Sequence, residues 1–386
     1  MSRSIITCLL FLLVGCNDVE TTPFDYCNSD PPDEACYREK RDPGSEQIAL
    51  AEAIVQKQIE DHPADSMAWN WEEAVLMVGV HELYRVTRKA EYRDYYQDWI
   101  DHHIAQGYEM KSSDTSAPAR LALELYAQNG EQKYHDVIDD FFTYINEDAL
   151  RTEEGGLNHL GTDDTFGITL WVDSLFMFGG VLIRWGEEQG DQAALDEFAF
   201  QHAIFTDLLQ QEPGWYQHAH DWLGSQDKDV YWGRGNGWVA CATTDYLRVL
   251  LARGEKDQPA RRALEKLFSA ILATQDAQSG LWWTVVNRPG ETYLETSASA
   301  LFACALARAW RYGFVDDSVL PTVEQAVAGV RSMITTDALN RPVVTGISGP
   351  TMAGSFEYYQ EIPIGDDLPY GLGAVLLMLI ETSGLP

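Results

Sequence analysis

Six stretches of this chain are apolar on every side, and they alternate with six that keep one charged face. GITLWVDSLFMFGGVLI (167–183), TSASALFACALARAW (296–310) and YGLGAVLLMLI (370–380) are nearly apolar all round and rich in small residues. PARRALEKLFSAILATQ (259–275) keeps a charged side. Apolar residues recurring at i, i+3, i+4 and i+7 predict helices near 46–61, 69–87, 90–106, 117–129, 132–146, 168–187, 192–211, 235–253, 258–275, 296–312, 319–334 and 370–382. A helix without a polar face must be buried. The buried type holds the even places in this series, so the pattern describes two concentric rings. The expected fold is all-α, an (α/α)6 barrel of six helical hairpins. A solenoid of hairpins would need a repeated consensus, which is missing, and would expose its end hairpins.

Residues 1–45 stand outside this pattern. MSRSIITCLLFLLVGC has a basic start at Arg3 and an apolar run too short to span a bilayer permanently, which reads as an export signal over 1–15. Its end, Leu13-Val14-Gly15-Cys16, resembles a bacterial lipobox, which implies cleavage before Cys16 and lipid on its sulfur. Residues 16–45 are then a polar, proline-bearing tether, and 46–386 the catalytic domain. The expected location is outside the cytoplasm, held to a bacterial membrane by the lipid alone. Cys8 leaves with the signal, Cys27 and Cys36 could pair in an oxidising compartment, and Cys241 and Cys304 read as buried thiols. No pattern suggests a metal or other cofactor. A formal net charge of −33 excludes nucleic acid as a partner, since phosphate binding needs clustered Lys and Arg.

Chemistry-bearing residues cluster before the even helices. Trp69 and Trp71 begin the second, Asp114 precedes the fourth, and His159 and Asp173 flank the start of the sixth. Arg234 precedes the eighth, Glu291 and Glu295 the tenth, and Asp366, Asp367 and Tyr370 open the twelfth. In an alternating barrel these starts share one end, so the residues meet at one mouth. Its helix N-termini favour an anion.

The stretch VYWGRGNGWVACATTDYL (230–247) has three glycines at alternate positions, which suggests a phosphate loop. Such a loop must follow a buried strand, and 213–230 contains none. It reads instead as a helix start stripped of bulk, with one guanidinium between Trp232 and Trp238. Asp173, inside an otherwise apolar run, is the candidate proton donor, because burial raises a carboxyl pKa. Asp114 is read either as a helix cap or as a second carboxylate on the substrate. His159 and His218 are loop hydrogen-bonders or substrate contacts. Trp69, Trp71, Trp171, Trp215 and Trp232 suggest a platform for sugar rings. Glu291 and Glu295 are equally capping acids, and Asp221 serves its own loop.

The blocks MAWNWEEAVLMVGVHELY, SSDTSAPARLALELY, EEGGLNH, GITLWVDSLFM, WYQHAHDW, YWGRGNGW, ETSASALFACAL and LPYGLGAVLLM together resemble the unsaturated glucuronyl and rhamnogalacturonyl hydrolases. These are glycoside hydrolase families 105 and 88, and the resemblance runs collinearly over 45–386, closer to family 105. It implies hydration of a C4=C5 double bond on a terminal uronic acid. Asp173 would then be acid and base, and Asp114 the second carboxylate. His218 would assist binding or water placement, and Trp232 and Arg234 would hold the unsaturated ring and its carboxylate. Trp69, Trp71, His159, Trp171 and Tyr370 would complete the sugar site. The partner is an unsaturated uronate-ended oligosaccharide, pectic rhamnogalacturonan by default, taken by a monomer or weak dimer. His220 departs from the family, which more often has an aromatic there. An ordinary inverting glycosidase on the same barrel would need Asp114 or Glu295 as a second carboxylate, some 6.5–9.5 Å (roughly) from the first. A non-enzymatic surface binder of acidic oligosaccharides would need no acid at all.

Overall fold

The computed structural model describes residues 40–386; the export signal, Cys16 and the Cys27/Cys36 pair lie outside the described residues. Twelve helices form the frame: α1 (Glu46–Asp61), α2 (Trp71–Thr87), α3 (Ala90–Gln106), α4 (Ala119–Asn129), α5 (Gln132–Thr143), α6 (Ser174–Gln189), α7 (Gln192–Leu209), α8 (Gly233–Ala252), α9 (Gln258–Ala273), α10 (Thr296–Arg311), α11 (Leu320–Ser332) and α12 (Pro369–Thr382). The even helices pack side by side in the order α2, α4, α6, α8, α10, α12, and α12 returns to α2. Each odd helix lies outside against its neighbours. The (α/α)6 barrel expected from the alternation is therefore the fold.

The ring closes through bare backbone. A Cβ placed at Gly373 on α12 would fall 2.3 Å from the Val75 carbonyl oxygen on α2. One at Gly79 would fall 2.9 Å from Leu376 Cβ. Only glycine lets these two helices approach so closely at the seam.

The two ends of the barrel differ. At one end even helices turn into odd ones in very few residues: 88–89, 130–131 and 190–191. Arg88, Gly130 and Gly190 close those turns in the left-handed region, with φ of 59°, 69° and 64°. At the other end the connections are long, over 144–173, 210–232, 274–295 and 333–368. They carry four two-stranded ladders of two or three residues per strand. Those ladders, and short helices at Ser113–Ser116 and Phe356–Glu361, have no counterpart in the helical periodicity. Residues 168–173, expected inside the sixth helix, instead lead through the strand Leu170–Trp171 to a helix that begins at Ser174. The ladder with Ala219–His220 takes the backbone hydrogen bonds that a helix would have used.

Beneath the mouth a belt of buried ion pairs joins the C-terminal halves of the inner helices. Arg184 on α6 grips Glu124 on α4 through Nε and Nη2, each at 2.9 Å. Arg248 on α8 holds Glu187 on α6, and Arg308 on α10 bonds Asp245 on α8 at 2.7 Å. Glu381 on α12 is met by Arg308, Arg311 and Arg41 at 3.1, 3.1 and 2.8 Å. Burial opposes the charge on Glu381, but these guanidiniums hold its carboxyl down at about 2. A cavity of about 30 Å³ lies between the inner helices at the level of the belt, lined among others by Phe176, Cys241, Asp245 and Arg308. Arg184, Glu187, Arg311 and Glu381 are buried, so the barrel is closed at the belt end. Cys241 and Cys304 are buried free thiols in its wall, as expected.

Removing Glu381 should leave three guanidiniums without their shared carboxylate. Glu381→Ala is expected to lower stability by about 3–5 kcal/mol, measured by denaturant unfolding. Unchanged stability would show that the belt does not hold the ring.

Candidate active site

One short ladder of backbone bonds places the central carboxylate. Leu170 pairs with His220 and Trp171 with Ala219, and Val172 N–H donates to the His218 carbonyl at 3.0 Å. This pairing brings His218 Nε2 to 3.4 Å from Asp173 Oδ2. Asp173 stands at the start of α6 without capping it. It is buried at 8% exposure, and Oδ2 has no hydrogen-bond partner. The simple reading of a first-turn acid complementing the helix dipole therefore does not account for it.

Asp114 caps nothing either. Ser112 and Thr115 form a reciprocal capping box around the turn that carries it. Ser113 N–H donates to the His159 carbonyl and His159 N–H to the Thr169 carbonyl, which ties this turn to the loop before α6. His159 Nε2 lies 3.8 Å from Asp114 Oδ1, and Nδ1 lies 3.0 Å from Ser174 Oγ. Burial lowers the His159 pKa to about 4, so the ring between the two carboxylates is neutral.

The two acids are driven apart. Burial would raise Asp173, but His218 beside it, then His159 and Arg234, hold its carboxyl below the usual range. The expectation that burial makes Asp173 the raised acid is thus corrected. Asp114 takes that position: its depth, then the charge of Asp173, then that of Glu72, push it up to about 8. Its side chain keeps 32% of its surface open to the mouth, so the two neighbouring negative charges matter alongside depth. Near neutral pH the pair holds one proton. Burial also raises Glu72 and brings Glu73 to about 7 in the first turn of α2.

Arg234 is fully buried between the rings of Trp232 and Tyr370, 4.7 and 4.6 Å from their centroids. The fork expected to meet a substrate carboxylate is occupied. Nη1 donates to the Ser348 carbonyl at 2.7 Å, and Nη2 to the Gly349 carbonyl at 2.9 Å and Thr351 Oγ1 at 3.1 Å. Its first structural task is to fasten 348–351 to the start of α8. Among the described residues no carboxylate lies within 4 Å of it, so its charge is left to the mouth.

The aromatic residues divide. Trp171 lies flat on His159, with ring centroids 4.5 Å apart and planes 5° apart, and its edge meets His218. Trp232 stacks on His218 at 4.3 Å, and Trp71 on Tyr370 at 4.7 Å. Trp69 stacks on Tyr108 and donates to the Thr115 carbonyl, so it braces the Asp114 turn from behind. Trp215 is buried against Phe302 in the core and offers no platform. Tyr370 donates to the Ser348 carbonyl at 2.7 Å. Trp171, Trp232 and Arg234 each keep a buried N–H without a hydrogen-bond partner, and Asp173 Oδ2 and His218 Nε2 face each other at 3.4 Å, longer than a good hydrogen bond. Such a concentration of unmet groups is what a ligand satisfies.

Glu295 is withdrawn from the chemistry. It caps α10 by accepting from Ser297 and Ala298 N–H, and it also accepts from Ser348 N–H at 3.0 Å. Asp367, expected at the mouth, accepts from Val344 N–H and pairs with Lys57 instead. Sequence patterns missed Tyr359, whose hydroxyl lies 2.8 Å from His218 Nδ1. It sits on a six-residue helix too short for any periodicity to reveal. Among the described residues no group of three or more His, Cys, Asp or Glu is placed to hold a metal ion.

A helical barrel that gathers two carboxyls, two imidazoles and several indoles at one end is the equipment of a glycosidase. Residues 48–385 match Glycosyl Hydrolase Family 88, and the chain belongs to that family, within the unsaturated glycuronyl hydrolases. It is 26% identical over 319 residues to the unsaturated rhamnogalacturonyl hydrolase YesR of Bacillus subtilis, covering 81% of this chain and 89% of that one. It is 26% identical over 302 residues to an unsaturated 3S-rhamnoglycuronyl hydrolase of Formosa agariphila, covering 69% and 74%. A Klebsiella pneumoniae structure described as a possible member of family 105 superposes with a TM-score of 0.78 at 24% identity, over 88% of this chain and 93% of that one.

The raised acid has a consequence for stability. Because Asp114 binds its proton more tightly folded than unfolded, stability is lost as pH climbs from the ordinary carboxylate range through about 8. Asp114→Asn removes that loss, so the variant should gain melting temperature over the parent more at pH 9 than at pH 6. Equal differences at both pH values would place the raised pKa elsewhere.

Proposed function

We propose that this protein releases the terminal 4,5-unsaturated uronic acid from lyase-generated oligosaccharides, by hydrating its C4=C5 bond. The observation that carries this reading is the meeting at one end of the barrel of Asp173 with His218 at 3.4 Å and of Asp114 with His159 at 3.8 Å, beside the buried Arg234. Hydration can use one carboxyl twice, first as acid and then as base, without a second group set across the ring. Pectic rhamnogalacturonan is the proposed source of the substrate.

The proton resides first on Asp114. A uronate carboxylate entering the field of Arg234 competes for the positive charge that helps keep Asp173 ionised, and the proton passes to Asp173. Asp173 then delivers it to C4 as positive charge develops at C5 and O5. A water adds its oxygen to C5 and returns a proton to the Asp173 carboxylate. The C5 hemiketal opens, C1 becomes a hemiacetal carbon, and the leaving sugar departs with its hydroxyl. Trp171 and Trp232 wall the ring, and their unpaired N–H groups are available to its oxygens. Trp69, Trp71, His159 and Tyr370 shape the cup around them.

Tyr359 fixes the proton on His218. Burial raises the phenol's pKa, so it keeps its hydrogen and can donate to Nδ1. The imidazole then carries its own hydrogen on Nε2, facing Asp173. We further propose that Cys16, outside the described residues, carries lipid and tethers the barrel where lyase products arise. Cys16→Ser should then abolish incorporation of labelled fatty acid.

The test follows the near-UV absorbance of the conjugated double bond while the full chain is incubated with lyase products of several uronate polymers. Loss of absorbance on the pectic member is expected. An unchanged signal on every member, with turnover of saturated aryl glycosides, would establish an ordinary glycosidase instead. Asp173→Asn should fold and lose at least ~10²-fold in rate; a folded variant with near-parental turnover would remove Asp173 from the chemistry. The parental rate should fall as pH rises through about 8, where the pair loses its proton. Tyr359→Phe should lower kcat about tenfold with KM nearly unchanged, and a change confined to KM would make Tyr359 a substrate contact.

A further inference from the structure

Isolated exposed apolar side chains are ordinary, but several from separate loops meeting at one place mark a binding surface. Phe166, Leu223 and Met352 are 49%, 74% and 54% exposed, and they come from the loops before α6, α8 and α12. The loops are laced together at this point. Leu223 N–H donates to the Phe166 carbonyl at 3.4 Å, and Trp222 Nε1 donates to the Ala353 carbonyl at 3.1 Å. Trp222 packs its ring against Phe166 at 5.2 Å and against Trp171 at 5.1 Å. An apolar track therefore runs outward from the site wall at Trp171 to the rim.

We propose that Phe166, Trp222, Leu223 and Met352 form the subsite for the sugar that leaves, and that this sugar is neutral with an apolar face. The inference rests on the function proposed above. Because the cup is closed below, a terminal uronate on its floor must point its glycosidic oxygen outward, and the next sugar must lie along the rim. Aromatic and aliphatic side chains there reward ring faces made of C–H groups. Beside these side chains, residues 163–166 and 221–229 carry Asp163, Asp164, Asp221, Asp227 and Asp229, with Lys228 as the one cation of those two segments. That imbalance repels a sulfated or uronate sugar at the position and leaves a neutral one unopposed. The site thus asks for one negative charge at its floor and none at its rim.

The experiment compares three substrates with the full chain: the methyl glycoside of the unsaturated uronate, an unsaturated uronyl disaccharide ending in a neutral deoxy sugar, and its sulfated counterpart. The parent and a Phe166→Ser/Leu223→Ser variant are assayed. Both side chains are solvent-exposed, so the variant should fold. The variant is expected to raise KM about tenfold for the neutral disaccharide, with the methyl glycoside unchanged. The parent should turn over the sulfated disaccharide at least about tenfold less efficiently, with a handicap that shrinks as salt is raised. An unchanged KM for the neutral disaccharide, or a preference for the sulfated one, overturns the subsite alone. Equal losses on disaccharide and methyl glycoside overturn it too, because they report damage to the floor. No turnover of any of the three by the parent overturns the hydration reading, and the subsite with it.

Discussion

The carboxylate of Glu381 ties the last inner helix to its neighbour α10 and to the segment before α1. It lies on the last helix and draws in Arg308 and Arg311 from α10 and Arg41 from the segment before α1. Together with Glu124, Arg184, Glu187, Arg248 and Asp245 it links neighbouring inner helices at their C-terminal ends. Cations there also meet the negative ends of the helix dipoles. A belt of this kind is strongly directional, because each guanidinium must find its own carboxylate. It therefore specifies the order and depth of helices that apolar contact alone would let slide.

Closing one end leaves the other free to open. The short turns at the belt end hold successive helices together, while the long connections all gather at the opposite end. Those connections supply the ladder that presents Asp173 to His218, the turn that presents Asp114, and the strip at 348–351 that Arg234 secures. A protein with a formal net charge of −33 can still receive an anion there. Among the described residues Arg234 has no carboxylate within 4 Å, and burial pushes Asp114 up to about 8 and Glu73 to about 7, which lowers the negative charge at the mouth. The same surroundings hold Asp173 below the usual carboxylate range, so the two central carboxyls are driven in opposite directions.

Much of this was legible in the residues themselves. Helices without a polar face, alternating with amphipathic ones, leave few arrangements other than two rings, and the starts of the inner helices then share an end. Asp173, Asp114, His159, Trp171 and Trp232 were found by that reasoning, His218 only through the family resemblance, and all of them converge. The exceptions are instructive. Trp69 and Trp215 have the composition of sugar platforms but point their faces into other rings. Glu295 and Asp367 have the composition of catalytic acids but satisfy backbone N–H groups. Tyr359 and the rim of Phe166, Trp222 and Leu223 lie on loops, where no periodicity exists to read.

Hydrophobic period, a property of residues near in sequence, is therefore what the chain alone determined: the all-helical class, the two rings and the end on which the site is built. Protonation and partnership depend on groups remote in sequence, such as Asp173 and His218, Arg234 and Ser348, or His218 and Tyr359. Only the tertiary structure could decide that Asp114 and not Asp173 is the raised acid, that Arg234 fastens a loop, and that the rim is apolar. Electrostatic fields and hydrogen bonds act through space at a few ångströms, and the linear order of residues does not encode those separations.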